Sequence, residues 1–147
     1  MADDDRKFMD EAYAEAQAGL AAGGIPIGSV LVRNGEIIGR GHNQRVQKGD
    51  AILHGEMDCM RNAGRQKTYK DTVIYTTLSP CMMCTGTIIQ FGIPRAVVGE
   101  SVTFRGFQDV LALAGVETED MNDERCIAMM QKFIAEKPEL WNEDIGE

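Results

Sequence analysis

Four side chains define what this sequence can do chemically. His54 and Glu56 lie either side of Gly55, and Cys81 and Cys84 are paired in Pro-Cys-Met-Met-Cys. Thiolates and a neutral imidazole are ligands for a borderline-soft tetrahedral cation such as zinc, and the two-residue gap lets both sulfurs reach a single ion. With His54 as the third ligand, the fourth position stays open for water, which is the pattern of a catalytic site. Zinc lowers the pKa of a bound water to about 7, so a hydroxide nucleophile exists at neutral pH. Glu56 is too close to His54 along the chain to serve easily as another ligand. It can instead carry a proton from that water to a substrate nitrogen and then to a departing amine.

Taken singly, these residues have plainer explanations. Cys-x-x-Cys also occurs in redox pairs and structural zinc sites, a lone histidine is usually a hydrogen-bonded structural residue, and a lone glutamate is usually on the surface. A redox pair needs no distant His-x-Glu. A structural site needs a fourth ligand, and Cys59, Cys126 and His42 lack the paired spacing to supply it. Cys59 and Cys126 are expected to pack as small apolar side chains.

The elements that must hold these groups follow from periodicity and turn chemistry. Apolar residues at helical spacing predict a first helix over Asp4 to Ala22, stopped by Gly23-Gly24. Ile25 to Val32 is a β-branched run that meets Asn34-Gly35, the strongest short hairpin signal, so two antiparallel strands are expected. Gly39 to Leu53 reads as a loop, and Gly55 to Asn62 as a helix closed by Gly64. Thr72 to Thr77 predicts a strand, followed by a helix with Pro80 in its first turn that runs to Phe91 and ends at Gly92. Further elements are a strand over Ala96 to Gly99, a short helix over Asp109 to Ala114, a weak strand near Gly115 to Thr118, a helix from Asp123 to Glu136 with Asp123 as cap, and a last helix from Pro138. In this arrangement His54 and Cys81 each open a helix, where backbone amides and the positive end of the dipole favour thiolates. Helices alternating with short strands predict a three-layer α/β/α sandwich whose sheet is mostly parallel after the first hairpin. Residues 1–147 are read as a single domain without repeats or linkers, long enough to bury roughly two-thirds of their unfolded surface.

The composition, 44% hydrophobic and 26% charged, is that of a globular chain. The opening Met-Ala-Asp-Asp-Asp-Arg-Lys lacks a signal-peptide core and no apolar run approaches a membrane span, so a cytoplasmic protein with no membrane partner is expected. A net charge of −8 repels a phosphate backbone and argues against nucleic acid. Arg61, Arg65, Lys67 and Lys70 are expected to form a solvated helix end and loop.

His-x-Glu followed by Pro-Cys-x-x-Cys is the signature of the zinc nucleobase deaminases. With it, the sequence resembles the cytidine deaminase-like superfamily and, within that, the small fungal-type cytosine deaminases. The likeness extends through Gly24-Ile25-Pro26-Ile27-Gly28, Gly39-Arg40-Gly41-His42-Asn43, Tyr75-Thr76-Thr77-Leu78-Ser79-Pro80, Gly92-Ile93-Pro94-Arg95, Asp123-Glu124-Arg125-Cys126 and the terminal Glu143-Asp144-Ile145-Gly146-Glu147. The resemblance implies a five-stranded mixed sheet flanked by helices. It also implies one catalytic zinc per chain and a homodimer paired through flanking helices, for which Met82, Met83, Ile88, Ile89 and Phe91 are candidates. The implied reaction is hydrolytic deamination of free cytosine to uracil and ammonia by a zinc-bound hydroxide, with Glu56 as proton shuttle, in pyrimidine salvage. For the substrate it implies contacts from Asn43, the Gly55 amide, the Ser79 carbonyl and Asp144, with Phe104 and Trp141 enclosing the ring. The sequence departs from the family pattern at Ser101, where asparagine is expected, and over Arg105-Gly106-Phe107-Gln108. Two other readings stay open: a deaminase of guanine, a triazine or tRNA adenosine, and a zinc-stabilised binding protein without turnover.

Overall fold

In the computed structural model, residues 2–147 are described. The chain order is α1 (Ala2–Ala21), β1 (Gly28–Arg33), β2 (Glu36–His42), α2 (Arg45–Lys48), α3 (Gly55–Ala63), β3 (Thr72–Thr76), α4 (Met82–Gln90), β4 (Arg95–Val98), α5 (Gln108–Leu113), β5 (Glu117–Asp120), α6 (Glu124–Glu136) and α7 (Pro138–Ile145). The strands form one mixed sheet in the order β2-β1-β3-β4-β5. β1 is antiparallel to both β2 and β3, whereas β3, β4 and β5 are mutually parallel.

The two-residue side-chain period of a strand explains why helices cover both faces. On one face Leu31, Ile74 and Ala96 pack with Cys59 of α3, Ile88 of α4 and Leu111 of α5. On the other, Val30, Val32, Tyr75 and Val97 pack against Phe8, Met9 and Ala12 of α1. A third cluster joins Ile25, Ile27 and Leu78 to Met130 and Phe133 of α6 and Trp141 of α7, closing one end of the sheet. Residues Asn34 and Gly35 both take positive φ, 50° and 78°, and turn the expected hairpin.

Two sequence expectations need correction. Gly39 to His42 is the second half of β2 and not loop, and Arg45–Lys48 within the expected loop forms a single helical turn. Glycine suggested irregular structure, but here it lets a helix lie against a strand. A Cβ on Gly39 would come within 2.6 Å of the Ala63 Cβ, and one on Gly41 within 2.6 Å of the Cys59 backbone nitrogen. The helix expected to include Pro80 starts at Met82, because Cys81 is extended (φ −69°, ψ 175°) and occupies the N-cap position. Smaller boundary shifts elsewhere, such as β5 at Glu117–Asp120, leave the element order unchanged. Asp123 caps α6 as expected, its side chain accepting from the Arg125 amide.

Candidate active site

The sheet points two helix starts at one place. His54 is the N-cap of α3 and Cys81 the N-cap of α4, while Cys84 lies in the first turn of α4. One ligand atom from each of His54, Cys81 and Cys84 falls within 4.8 Å of the other two. Cys81 Sγ is 3.5 Å from His54 Nδ1, so Nδ1 is the ring nitrogen on the sulfur side. The opposite nitrogen, Nε2, is 3.4 Å from Asp144 Oδ1. A carboxylate behind a ligand imidazole is the usual device for fixing its tautomer and orientation.

The electrostatics of this cluster call for a cation. The Cys81 thiol is drawn down to about 4, chiefly by its hydrogen bond with Cys84 and further by His54, against the opposing effect of burial. Cys84 is pushed well above its ordinary range, by that same contact with Cys81 and by burial beside Glu56. The two sulfurs thus share a hydrogen bond that favours the thiolate at Cys81 and the thiol at Cys84. The His54 imidazole is opposed by burial, yet contact with Cys81 and the charges of Asp144 and Glu56 raise it overall. A divalent cation satisfies all three groups at once and lets both sulfurs lose their protons, so the donor set fits zinc.

Glu56, in the first turn of α3, is 4% exposed. Its carboxyl is raised to about 7, first by burial and then by the negative charge of Cys81. It lines a small cleft with His54, Cys81, Ser79, Phe104, Trp141 and Asp144, and Ile27, Leu78 and Ile145 complete the wall. Phe104 and Trp141 meet edge to face with centroids 5.8 Å apart. Ser79 ends the segment after β3. Its amide donates to the Glu100 carbonyl and its hydroxyl to the Arg105 carbonyl.

Asn43 stands behind this wall. It is fully buried; its Nδ2 donates to Asp144 Oδ1 at 2.8 Å and its Oδ1 accepts from the Arg45 amide. Gly55 is buried against the Ile27 carbonyl, where an added Cβ would lie 3.0 Å away. Of the site residues expected from the sequence, His54, Glu56, Ser79, Cys81, Phe104, Trp141 and Asp144 line the cavity, while Gly55 and Cys84 lie behind its wall and Asn43 reaches it through Asp144. Ile27, Leu78 and Ile145 were not anticipated as lining, since apolar strand and helix residues carry no chemical signal. Glu100 was also missed. It is completely buried and accepts from the Val102 and Thr103 amides, holding the loop that delivers Phe104.

Residues 2–100 match the model of the cytidine and deoxycytidylate deaminase zinc-binding region. Over 147 residues the chain is 53% identical to the cytosine deaminase of Candida albicans, covering 98% of each protein. It is 43% identical over 97 residues to a tRNA-specific adenosine deaminase of Streptococcus pyogenes, covering 64% of this chain and 61% of that one. The solved guanine deaminase of Nitrosomonas europaea has the same fold, with a TM-score of 0.77 over 87% of this chain and 83% of its own at 19% identity. With the zinc-ligand geometry inside the matched span, the chain belongs to the cytidine and deoxycytidylate deaminase zinc-binding family.

Proposed function

We propose that this protein hydrolyses free cytosine to uracil and ammonia. The observation that carries the reading is a buried carboxylate, Glu56, in an aromatic-walled cleft beside a His-Cys-Cys donor set, in a chain similar from end to end to a cytosine deaminase. His54, Cys81 and Cys84 would hold one zinc, which when bound supplies the Lewis acidity that activates water at neutral pH. Glu56 takes a proton from the attacking water on a carboxylate oxygen and passes it to the ring nitrogen beside the amino-bearing carbon. It then moves the second water proton to the amine, which leaves as ammonia while the water oxygen stays on the ring as the new carbonyl. Burial of Glu56 keeps bulk water from intercepting these transfers.

The remaining residues bind and orient. Phe104 and Trp141 enclose the ring, while Asp144, Asn43, the Ser79 carbonyl and the Gly55 amide read its polar edge. Residues 1–147 act as one deaminase unit in this reading, since the segments flanking β1 and β3, both helix starts, the Phe104 loop and α7 line the same cavity. A homodimer, a cytoplasmic location and a place in pyrimidine salvage belong to the same reading. Exposed Met82 and Phe91, 53% and 49% accessible, support pairing through α4, and no described helix is long and apolar enough to cross a membrane.

The test is ammonia release from the zinc-loaded protein with cytosine, cytidine, guanine, a triazine and tRNA offered separately. Turnover of cytosine well above the others is expected. Inert cytosine beside an active guanine or tRNA would overturn the substrate while leaving the chemistry.

A further inference from the structure

One buried carboxylate near the site takes no part in the mechanism above. Asp58 lies on α3 one turn beyond the His54 N-cap, to whose carbonyl its amide donates, and it is 2% exposed. Its Oδ2 accepts from the His42 amide at 3.0 Å and from Gln44 Nε2 at 3.1 Å. These donors are the residues immediately before and after Asn43. Both are neutral, so the carboxylate is buried without a charge partner among its hydrogen bonds, an environment that costs stability. The close approach needs Gly41, since a Cβ there would lie 2.5 Å from Asp58 Oδ2.

We propose that Asp58 is a positioning residue that ties the helix carrying His54 and Glu56 to the segment carrying Asn43, and so sets where the base edge lies relative to the proton shuttle. Asn43 is well placed to be steered in this way. Its amide donates to the Ile27 carbonyl and its carbonyl accepts from Gln47 Nε2, so the residue is held from several sides. Cys59 and Asn62 of α3 bond to β2 further back, at the Gly39 and Arg40 carbonyls, whereas Asp58 bonds to the residues directly flanking Asn43. Loss of the clamp leaves zinc and Glu56 in place and lets Asn43 and its partner Asp144 drift. Binding suffers more than the chemical step. The proposal rests on the assignment of Asn43 to base recognition.

The experiment is a double-mutant cycle on the zinc-loaded protein, with KM and kcat for cytosine, zinc content and melting temperature as readouts. Asp58→Ala is expected to raise KM about tenfold with kcat changed less than about threefold and zinc retained. In an Asn43→Ala background the same substitution should change KM less than about twofold, because the residue it acts through is gone. Asp58→Asn keeps an acceptor oxygen and should restore KM to within about threefold of the parent. Equal effects of Asp58→Ala in both backgrounds, unchanged KM, or loss of zinc would overturn the positioning role. If Asn43→Ala itself leaves KM unaltered, the assignment of Asn43 fails first and is identified as the cause. Should Asp58→Ala be insoluble, Gln44→Ala, at a partly buried position, runs the same cycle with a smaller expected rise in KM that again vanishes in the Asn43→Ala background. An equal rise in both backgrounds, or none, counts against the clamp.

Discussion

The two halves of the site are built in opposite ways. The metal and proton half comes from two short motifs, each at a helix start beside the sheet, so that His54, Glu56, Cys81 and Cys84 are placed by local helix geometry. The proposed recognition half, apart from the Gly55 amide at the start of α3, is drawn from four separated places: Asn43 after β2, Ser79 after β3, Phe104 in the loop after β4, and Trp141 and Asp144 on α7. The Asn43 to Asp144 hydrogen bond spans 101 residues of chain. Groups held by one helical turn are fixed by the backbone around them. Groups held across the fold depend on the packing of every element between them. Under the proposed roles, the chemistry of this protein thus sits in the part of the molecule least disturbed by distant substitutions, and base recognition in the part that depends on the packing of the whole fold.

That contrast can be broken at its strong end first. Glu56→Ala should retain zinc and lose turnover by about 10³-fold or more, as expected for removal of a general acid and base. Cys84→Ser should lose zinc and turnover together, whereas Asn43→Ala should keep zinc. Metal analysis beside the ammonia assay separates these outcomes, and near-normal turnover in Glu56→Ala would remove that residue from the mechanism.

In the recognition half the effect should fall on binding and stability. Trp141 is buried and joins the cluster with Phe133 and Met130, so Trp141→Ala should cost about 3 kcal/mol in denaturant unfolding and raise KM more than it lowers kcat. A fall in kcat with KM unchanged would move Trp141 into the chemical half.

The smallest effect should come from outside both halves. Asp5, buried on α1, accepts from both Arg95 terminal nitrogens at 2.7 and 2.8 Å and from the Tyr75 hydroxyl. The Arg95 hydrogen bonds, and then that of Tyr75, hold its carboxyl below the usual carboxylate value of 3.8 against the effect of burial. A depressed folded pKa contributes stability that is full above 3.8 and is lost as pH falls toward the folded value. Asp5→Asn should therefore lower stability by about 2 kcal/mol near neutrality, and the gap from the parent should shrink below about pH 4. Melting curves from pH 3 to 7 check this, and a gap independent of pH would exclude the ionised Asp5 as its source. Kinetics for cytosine should stay unchanged.

The sequence alone determined the parts of this protein that are encoded within a few residues. The Asn34-Gly35 turn, the Asp123 cap, the alternation of helix and strand and the spacing of the zinc ligands all follow from local dihedral preference and side-chain reach. Tertiary structure decided what local rules leave open. Gly39 to His42 became strand because β1 offered hydrogen bonds and α3 needed a bare backbone beneath it. Cys81 and Cys84, already in contact through the start of α4, came to sit beside His54 and Glu56 in one buried space only through the packing of α3 against α4. Asp144 came to face both His54 and Asn43, and Asp58 to bracket Asn43, through contacts between segments far apart in the chain. Such contacts leave no periodic trace in a sequence, because their energy depends on burial and distance that exist only once the sheet and its helices have packed.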